Sequence, residues 1–220
     1  MKFSIITICL NDMQGLKRTI ESVKMQALKE YEHIIIDGAS SDGTIEMVQA
    51  LQDNYIKFYS EPDEGISDAF NKGTKKSQGD VLLFLNSGDY FCTSDILERV
   101  ADAFEKHDTD IIFYAVQGKK NTIPNRMDDP ADVIWKQANV PHQAAFIKKE
   151  VFDKVGLYNK YIKIRMDYDF FMRCVKANIS YTYIPEIIVY YKGDGISENN
   201  DRPAPGSHPS GRPCLITTTR

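Results

Sequence analysis

Residues 79–91 read GDVLLFLNSGDYF, and this stretch decides the fold. Its uninterrupted apolar run, residues 81–85, is typical of a strand buried on both faces, as in a parallel sheet that is covered by helices. The run ends in residues 86–89, NSGD, so the carboxylate of Asp89 follows the carboxyl end of a buried strand. Ligands of open α/β sheets bind at that edge, and a hard oxygen donor there suits Mg²⁺ or Mn²⁺. An Asp that caps a turn is the alternative interpretation.

Strand-like and helix-like segments alternate over the first half of the chain. Apolar, β-branched runs predict strands over residues 3–10, 31–36, 56–59, 81–85 and 110–116. Amphipathic spacing predicts helices over residues 16–25, 45–51, 66–77 and 96–104. The alternation predicts an α/β fold with a Rossmann-like, doubly wound, mostly parallel sheet flanked by helices. The sequence has no G-x-G-x-x-G and no G-K-[ST], which excludes a dinucleotide fingerprint and a P-loop.

The second half is organised differently. Residues 118–139 are polar and irregular, and we expect them to cross the active edge of the sheet. Further helices are predicted over residues 149–155 and 167–177 and strands over residues 143–147 and 181–191. Pro185 interrupts the last strand, as is typical of an edge strand. Residues 201–220 contain four prolines and are predicted to be a disordered or non-native tail.

Composition excludes several classes of function. The net charge is -4, and no Lys/Arg block resembles a nucleic-acid footprint, so we predict no nucleic-acid partner. The four cysteines form no C-x-x-C pair, which argues against a zinc site or a disulfide framework and favours the reducing cytoplasm. No signal peptide is recognisable, and no apolar run reaches the ~20 residues of a membrane span. We therefore expect a soluble or peripheral protein; its oligomeric state is not predicted.

Polar clusters follow four of the predicted strands. They comprise residues 11–12, 37–42, 61–63 and 86–89. Because the carboxyl ends of parallel strands meet at one edge, we expect the four clusters to lie together. Asp37 is suited to accept hydrogen bonds from a ring N–H or a ribose hydroxyl, although a loop cap is an equal alternative.

Six segments resemble a known family in their order along the chain. They are SIITICLN, IIIDGASSDGT, EPDEGISDAFNKG, GDVLLFLNSGDYF, PHQAAFIKKEVFDKVGLYN and MDYDFFMRC. They resemble the successive motifs of the family 2 inverting glycosyltransferases with the GT-A fold, especially the bacterial members that build O-antigen and other surface polysaccharides. The resemblance implies one domain over residues 1–200, with a nucleotide-sugar-binding half at 1–117 and a smaller acceptor half at 118–200.

The resemblance also implies an activity. This is metal-dependent hexosyl transfer from a UDP-sugar to a glycan or lipid-linked acceptor, in the cytoplasm and compatible with peripheral association at the inner face of the cytoplasmic membrane. The Q-x-x-R-W motif of processive members is absent, so transfer of a single sugar is implied. A non-catalytic nucleotide-sugar-binding partner of a polysaccharide assembly complex is the alternative. A sugar nucleotidyltransferase would need a Gly-rich, basic loop after the first strand, and residues 9–12 offer none.

Roles for single residues follow from the same resemblance. Asp167 matches the catalytic base, with Asp169 as its competitor, since residues two apart on a helix do not share a face. Asp89 matches the retained ligand of a D-x-D-like motif for Mg²⁺ or Mn²⁺, although residues 86–89 hold one carboxylate where many members hold two or three. His142 either contacts the diphosphate or acceptor or is structural. The residues that match the nucleotide-sugar site are Thr7, Asn11, Asp37, Asp63, Asp68, Asn71, Lys72 and Asn86.

Overall fold

The computed structural model of the chain describes residues 1–119, 122–123 and 140–193. Most of the predicted crossing segment, residues 118–139, lies outside the described residues, and so does the whole predicted tail, 201–220. The division of the domain at residue 117 stays a prediction.

A single mixed sheet is formed by the nine strands of the described ranges. The strands are β1 (Phe3–Cys9), β2 (Tyr31–Asp37), β3 (Ile56–Ser60), β4 (Val81–Phe84), β5 (Tyr90–Phe91), β6 (Ile111–Gln117), β7 (Thr122–Ile123), β8 (Ala145–Lys148) and β9 (Tyr181–Tyr190). Their order is β3-β2-β1-β4-β8-β6-β9-β5, and β7 pairs with β6. The first four strands and also β6 and β9 run in one direction, whereas β5, β7 and β8 run antiparallel to their neighbours. The predicted α/β fold with a mostly parallel sheet is confirmed.

Helices cover both faces of this sheet. They are α1 (Met13–Lys24), α2 (Thr44–Gln49), α3 (Ile66–Lys76), α4 (Ile96–Lys106), α5 (Lys149–Val155) and α6 (Met166–Lys176), with a 3₁₀ turn at His142–Ala144. Leu82 and Phe84 of β4 pack in a core cluster with residues of α3, α5 and α6. Val81 and Leu83 pack in a second cluster with residues of α4. The strand is thus buried on both faces, which explains its uninterrupted apolar sequence.

Close packing brings α3 against the sheet. A Cβ atom at Gly73 would lie 2.3 Å from Cγ2 of Ile6 in β1, so this helix approaches β1 only because residue 73 has no side chain. The start of α3 is thereby fixed beside the carboxyl ends of the strands. None of the helices in the described part of the chain is long and apolar enough to cross a membrane.

Two segments differ from the predicted elements: the additional strand β5, and residues 143–144, which were predicted as strand but lie in the 3₁₀ turn. The two-residue strand β5 was not predicted, because two residues are too few to show a period. It pairs with β9 at Val189 and Tyr190. β9 is not an edge strand, because it lies between β6 and β5; Pro185 lies where the β6–β9 register shifts, and an irregularity of the ladder also accommodates a proline.

The carboxyl ends of the parallel strands are aligned in space. Cys9 of β1 is the register partner of Asp37, and Asp37 is the partner of Ser60 in β3. The strand β4 lies on the other side of β1 in the same direction. The prediction that the four polar clusters share one edge of the sheet is confirmed.

Candidate active site

A cavity of ≈ 500 Å³ opens at this edge of the sheet. Its walls come from the ends of β1 and β4, the start of α3, the 3₁₀ turn, the start of α6 and the segment after β9. The polar side chains that line it include Asp12, Asp63, Asn86, Asp89, His142, Asp167 and Lys192. Its volume suits a small ligand, and a cavity with convergent polar groups is the expected form of a substrate site.

Asp89 follows β4 and lines this cavity. Its side chain is buried, with the residue only 2% exposed. The Oδ1 atom accepts a hydrogen bond from the Lys192 N–H at 2.9 Å, whereas Oδ2 is buried and has no hydrogen-bond partner among the described residues. Burial raises the pKa of Asp89 to about 6, against the lowering effect of the bond from Lys192. The charges of His142 and Lys192 also act to lower this pKa, but Oδ2 receives no hydrogen bond from a described residue.

The turn that carries Asp89 is held by α1. The hydroxyl of Thr19 accepts from the Gly88 N–H at 3.0 Å and donates to the Asp89 carbonyl at 2.7 Å. Gly88 has a φ of +94°, which a residue with a side chain rarely adopts. The Lys192 side chain lies directly over it, since a Cβ at Gly88 would be 2.3 Å from Lys192 Cδ. Two features therefore favour glycine at position 88: its backbone angle and the close approach of the Lys192 side chain.

Lys192 and Asp12 join the site from distant parts of the chain. The Lys192 Nζ donates to Asp12 Oδ2 at 2.9 Å, and the Ser87 hydroxyl donates to the same oxygen at 2.8 Å. Lys192 was not singled out from the sequence, and Asp12 was noted only as a member of a polar cluster. They are 180 residues apart. Only the path of β9 brings Lys192 to this edge, so no local pattern could have identified it.

Asp167 lies at the start of α6 and is hydrogen-bonded to the 3₁₀ turn. Its Oδ2 is 3.1 Å from His142 Nδ1, and its Oδ1 accepts from the Tyr168 N–H at 2.9 Å. His142 Nε2 is in turn 3.1 Å from Asn86 Nδ2. Burial alone would raise the pKa of Asp167, but the bonds from His142 and Tyr168 outweigh it and hold the pKa below its ordinary value. The carboxylate is thus ionised at neutral pH and lies at the cavity wall.

Asp169 faces away from the cavity. Its Oδ2 accepts from Arg173 Nε at 3.0 Å, one turn further along α6. Arg173 also donates to the carbonyl of Leu157 at 2.9 Å. The cavity is lined by Asp167 and not by Asp169. Of the two competitors, the structure brings only Asp167 to the other site residues.

Asp63 and Asp37 sit at the β2–β3 side of the edge. Asp63 lines the cavity and accepts from the Gly65 N–H at 2.8 Å. Asp37 is fully buried, and its carboxylate accepts from the Ser40 N–H at 2.9 Å and from the Ser60 hydroxyl at 2.7 Å. Its contacts are those of a loop cap, while the predicted contact with the nucleoside stays a prediction.

Of the other residues predicted for the nucleotide-sugar, Asn86 lines the cavity, whereas Thr7, Asn11 and the three residues of α3 lie around it. Thr7 is buried and donates to the Leu85 carbonyl at 2.7 Å, and Asn11 Oδ1 accepts from the Ser41 N–H at 2.8 Å. These bonds join the loops after β1, β2 and β4. In the described geometry both side chains stabilise the framework of the site.

Three predicted residues on α3 have local partners. The Asn71 side chain forms two bonds with the backbone of Tyr158, of 2.8 and 2.9 Å. Lys72 pairs with Glu61 at 3.3 Å and with Asp68 at 3.4 Å. These contacts fasten α3 to the segments that border the cavity.

A divalent metal ion fits Asp89 as one of its ligands. The unpartnered Oδ2 is a hard oxygen donor of the kind that Mg²⁺ and Mn²⁺ prefer. Within the described residues no group of three or more His, Cys, Asp or Glu side chains is placed to hold a metal. The described side chains alone are therefore a sparse ligand set, which suits Mg²⁺ because that ion keeps several waters and binds substrate phosphates.

Solved structures confirm the GT-A fold. S. aureus TarS 1–349 in complex with UDP matches with a TM-score of 0.75 and 19% identity, over 87% of this chain and 60% of that chain. A mannosyltransferase from Pyrobaculum calidifontis in complex with GDP-Man and Mn²⁺ matches with a TM-score of 0.69 and 14% identity, over 86% of this chain and 56% of that chain. The chain thus spans less than two thirds of either of these proteins.

Sequence relatives identify the family. An uncharacterised glycosyltransferase of Mycobacterium tuberculosis is 32% identical over 177 residues, which cover 77% of this chain and 67% of the relative. A PGL/p-HBAD biosynthesis glycosyltransferase of Mycobacterium bovis is 28% identical over 201 residues, covering 89% of this chain and 78% of the relative. The family model described as glycosyl transferase family 2 matches residues 4–156. The chain therefore belongs to glycosyl transferase family 2.

Proposed function

We propose that the chain is an inverting glycosyltransferase that moves a single sugar from a UDP-sugar to a glycan or lipid-linked acceptor in surface polysaccharide biosynthesis. One observation carries the proposal: an ionised Asp167 and a buried, incompletely partnered Asp89 line the same cavity. The first has the state of a general base, and the second has a free oxygen for a cation. Two carboxylates in such different environments are typical of two different roles in one reaction.

The chemical step is a single displacement. Asp167 accepts the proton of the acceptor hydroxyl while that oxygen forms a bond to the anomeric carbon of the donor sugar. The bond from the anomeric carbon to the diphosphate oxygen breaks, and UDP leaves with the electron pair. One displacement inverts the configuration at the anomeric carbon. A positioned general base contributes about 10²- to 10⁴-fold to such a rate.

The donor side of the cavity would hold the diphosphate and its cation. Asp89 would bind Mg²⁺ or Mn²⁺, and the bound ion would supply charge stabilisation for the leaving diphosphate. Lys192 contributes a further positive charge beside Asp12. Asp63, which lines the cavity, would accept a hydrogen bond from the nucleoside. The structures of TarS with UDP and with UDP-GlcNAc support a uridine donor, and the mannosyltransferase with GDP-Man and Mn²⁺ supports metal use.

A screen of nucleotide sugars by thermal shift, with and without Mn²⁺, tests the donor. A UDP-sugar at 100 times its Kd stabilises the protein by about 2.7 kcal/mol, and we expect this stabilisation to need the metal. Stabilisation by GDP-mannose in place of every UDP-sugar would contradict the donor assignment and leave the reaction class intact. No stabilisation by any donor would contradict the proposal as a whole.

Matched variants on α6 test the base. We expect Asp167→Asn to bind donor as the wild type does and to transfer sugar about 10²- to 10⁴-fold more slowly. Asp169→Asn is the control. It removes the same charge two residues further along α6, from a side chain that does not line the cavity. Equal transfer rates in Asp167→Asn and wild type would refute the assignment. A wild type that binds donor but transfers to no acceptor would favour the non-catalytic binding partner.

A further inference from the structure

A chain of hydrogen bonds connects the donor-side turn to the carboxylate of Asp167. It runs from Asn86 Nδ2 to His142 Nε2 and from His142 Nδ1 to Asp167 Oδ2, and both distances are 3.1 Å. The imidazole is held in place, since its side chain is 15% exposed and its ring packs edge-on to Phe70 at 5.5 Å. His142 therefore has a defined partner at each ring nitrogen.

The partners determine which nitrogen carries the proton. The ionised carboxylate of Asp167 only accepts hydrogen bonds, so His142 Nδ1 must be the donor. In a neutral imidazole Nε2 is then the acceptor, and the amide N–H of Asn86 supplies the matching donor. With this amide orientation Asn86 Oδ1 is left buried and without a partner among the described residues. The Asn86 N–H, the two ring nitrogens and the Asp167 carboxylate thus fit one tautomer, at the cost of the unpartnered Asn86 Oδ1.

A carboxylate at position 86 would be incompatible with this pattern. It would require His142 Nε2 to donate, so the ring would have to bind a second proton or give up its bond to Asp167. An amide is the side chain of this size that donates to Nε2. Asn86, which replaces a carboxylate of the acidic motif, is thus the side chain that can donate to His142 Nε2.

We propose that Asn86 and His142 are positioning residues for the base: Asn86 fixes the Nδ1–H tautomer of His142, and His142 orients the carboxylate of Asp167. The inference rests on the proposed role of Asp167 as the base. Asn86 is then part of the acceptor-activating machinery, and its amide in place of a carboxylate serves proton transfer. A Ser–His–Asp triad uses the same logic, in which one group sets the tautomer of an imidazole and so the orientation of its other partner.

Other charged groups near His142 do not supply an alternative partner. Asp89 interacts electrostatically with His142, but its hydrogen bond comes from the Lys192 N–H, and the Nζ of Lys192 pairs with Asp12. From α3 the imidazole meets the neutral ring of Phe70, and from α6 it meets Asp167. Asn86 and Asp167 are therefore the two groups that are hydrogen-bonded to the ring nitrogens of His142.

Nitrogen NMR of the full chain, labelled with ¹⁵N in histidine, tests the tautomer without any substrate. We expect the His142 ring to show a protonated Nδ1 and an unprotonated Nε2 at neutral pH. The signal is assigned by its loss in His142→Gln, and the exposed His107 provides an internal reference. In Asn86→Asp we expect Nε2 to become protonated. A protonated Nε2 and bare Nδ1 in the wild type, or no change in Asn86→Asp, would overturn the inference.

Kinetics of the variants test the consequence for transfer. We expect His142→Ala to lower kcat by about 10- to 100-fold with little change in the KM of the donor, because a misplaced base costs rate and not binding. His142→Gln should recover part of the loss, since its amide can accept from Asn86 and donate to Asp167. Asn86→Asp should shift the acidic limb of the pH profile of kcat, whereas His107→Gln should behave as the wild type.

The outcomes separate this inference from the proposed function. A wild type without transferase activity would contradict the proposed function, while the NMR pattern would still decide the tautomer. An unchanged kcat and pH profile in His142→Ala would overturn the positioning role and leave Asp167 as the base. A rise in donor KM with kcat unchanged would also overturn it, because His142 would then act on the donor. If His142→Ala does not fold, His142→Gln and Asn86→Asp test the positioning role in the same assays.

Discussion

Replacement of Asp89 by asparagine should stabilise the metal-free protein and abolish transfer. Burial raises the pKa of Asp89 from 3.8 in the unfolded chain to about 6 in the fold. At 1.36 kcal/mol per pH unit, this difference corresponds to about 3 kcal/mol by which the charged carboxylate destabilises the fold at neutral pH. The amide that replaces it would keep the bond from the Lys192 N–H through its carbonyl oxygen and would carry no charge. We therefore expect Asp89→Asn to gain up to about 3 kcal/mol.

The gain should depend on pH in a defined direction. Below pH 3.8 the carboxyl is protonated in both states and costs nothing. Between pH 3.8 and about 6 the folded state binds a proton that the unfolded state has lost, so wild-type stability falls as the pH rises. Above pH 6 the whole difference is present. The advantage of Asp89→Asn should therefore be full at pH 8 and absent below pH 4.

Urea unfolding in EDTA at pH 8, 5 and 3.5 measures this difference. Asp102→Asn is the control, because it removes an exposed carboxylate of α4. In a thermal unfolding experiment at pH 8 in EDTA, the melting temperature should rise with Asp89→Asn by about 2–4 °C per kcal/mol, as is usual for a chain of this size. Addition of Mn²⁺ and a UDP-sugar should reverse the order, since only the wild type offers a charged ligand. Equal stabilities at pH 8 in EDTA, or a variant less stable than the wild type, would refute the argument.

Two further substitutions test the framework of the site. Gly88→Ala should lower the free energy of unfolding by more than about 1 kcal/mol and should weaken the metal-dependent thermal shift. The reason is that a residue with a Cβ is strained at a φ of +94° and would displace the Lys192 side chain. An unchanged melting temperature and donor response would contradict this prediction. Asn71→Ala should cost about 1–3 kcal/mol in urea unfolding, because the backbone N–H and C=O of Tyr158 lose their partners. A donor Kd measured for the same variant distinguishes this structural role from the donor contact that the family resemblance implies. Loss of stability without loss of donor affinity would indicate that Asn71 only holds the backbone of Tyr158.

The sequence predicted the structure well where a segment has one kind of environment along its whole length. Strands buried on both faces have long apolar runs, so β1, β2 and β4 were predicted within a few residues. Parallel direction then requires that polar residues after these strands share one edge, and Asp63 and Asp89 line the cavity at that edge. Helical periodicity also required that only one of Asp167 and Asp169 face the site, although it did not determine which.

The remaining site depended on contacts between distant parts of the chain. Lys192 reaches Asp12 only because β9 lies between β6 and β5 and ends above the turn after β4. Asn71 lies in a segment that resembles a donor-binding motif, but the orientation of its amide is set by the backbone of Tyr158. A sequence motif specifies a position and a chemical type; the direction of the side chain follows from its partners.

A comparison of Asp89 with Asp167 in the same cavity shows why an aspartate after a buried strand need not be a turn cap. A capping aspartate has its oxygens satisfied by nearby N–H groups, as Asp37 does through Ser40. Asp167 has such donors, and its pKa is low, which keeps it ready to accept a proton. Asp89 lies in the same cavity with one oxygen unpartnered, and its pKa is raised. By this argument, a fold that needed Asp89 only for a turn would be more stable with an asparagine at that position, and the charge at position 89 agrees with the proposal that a cation completes the site.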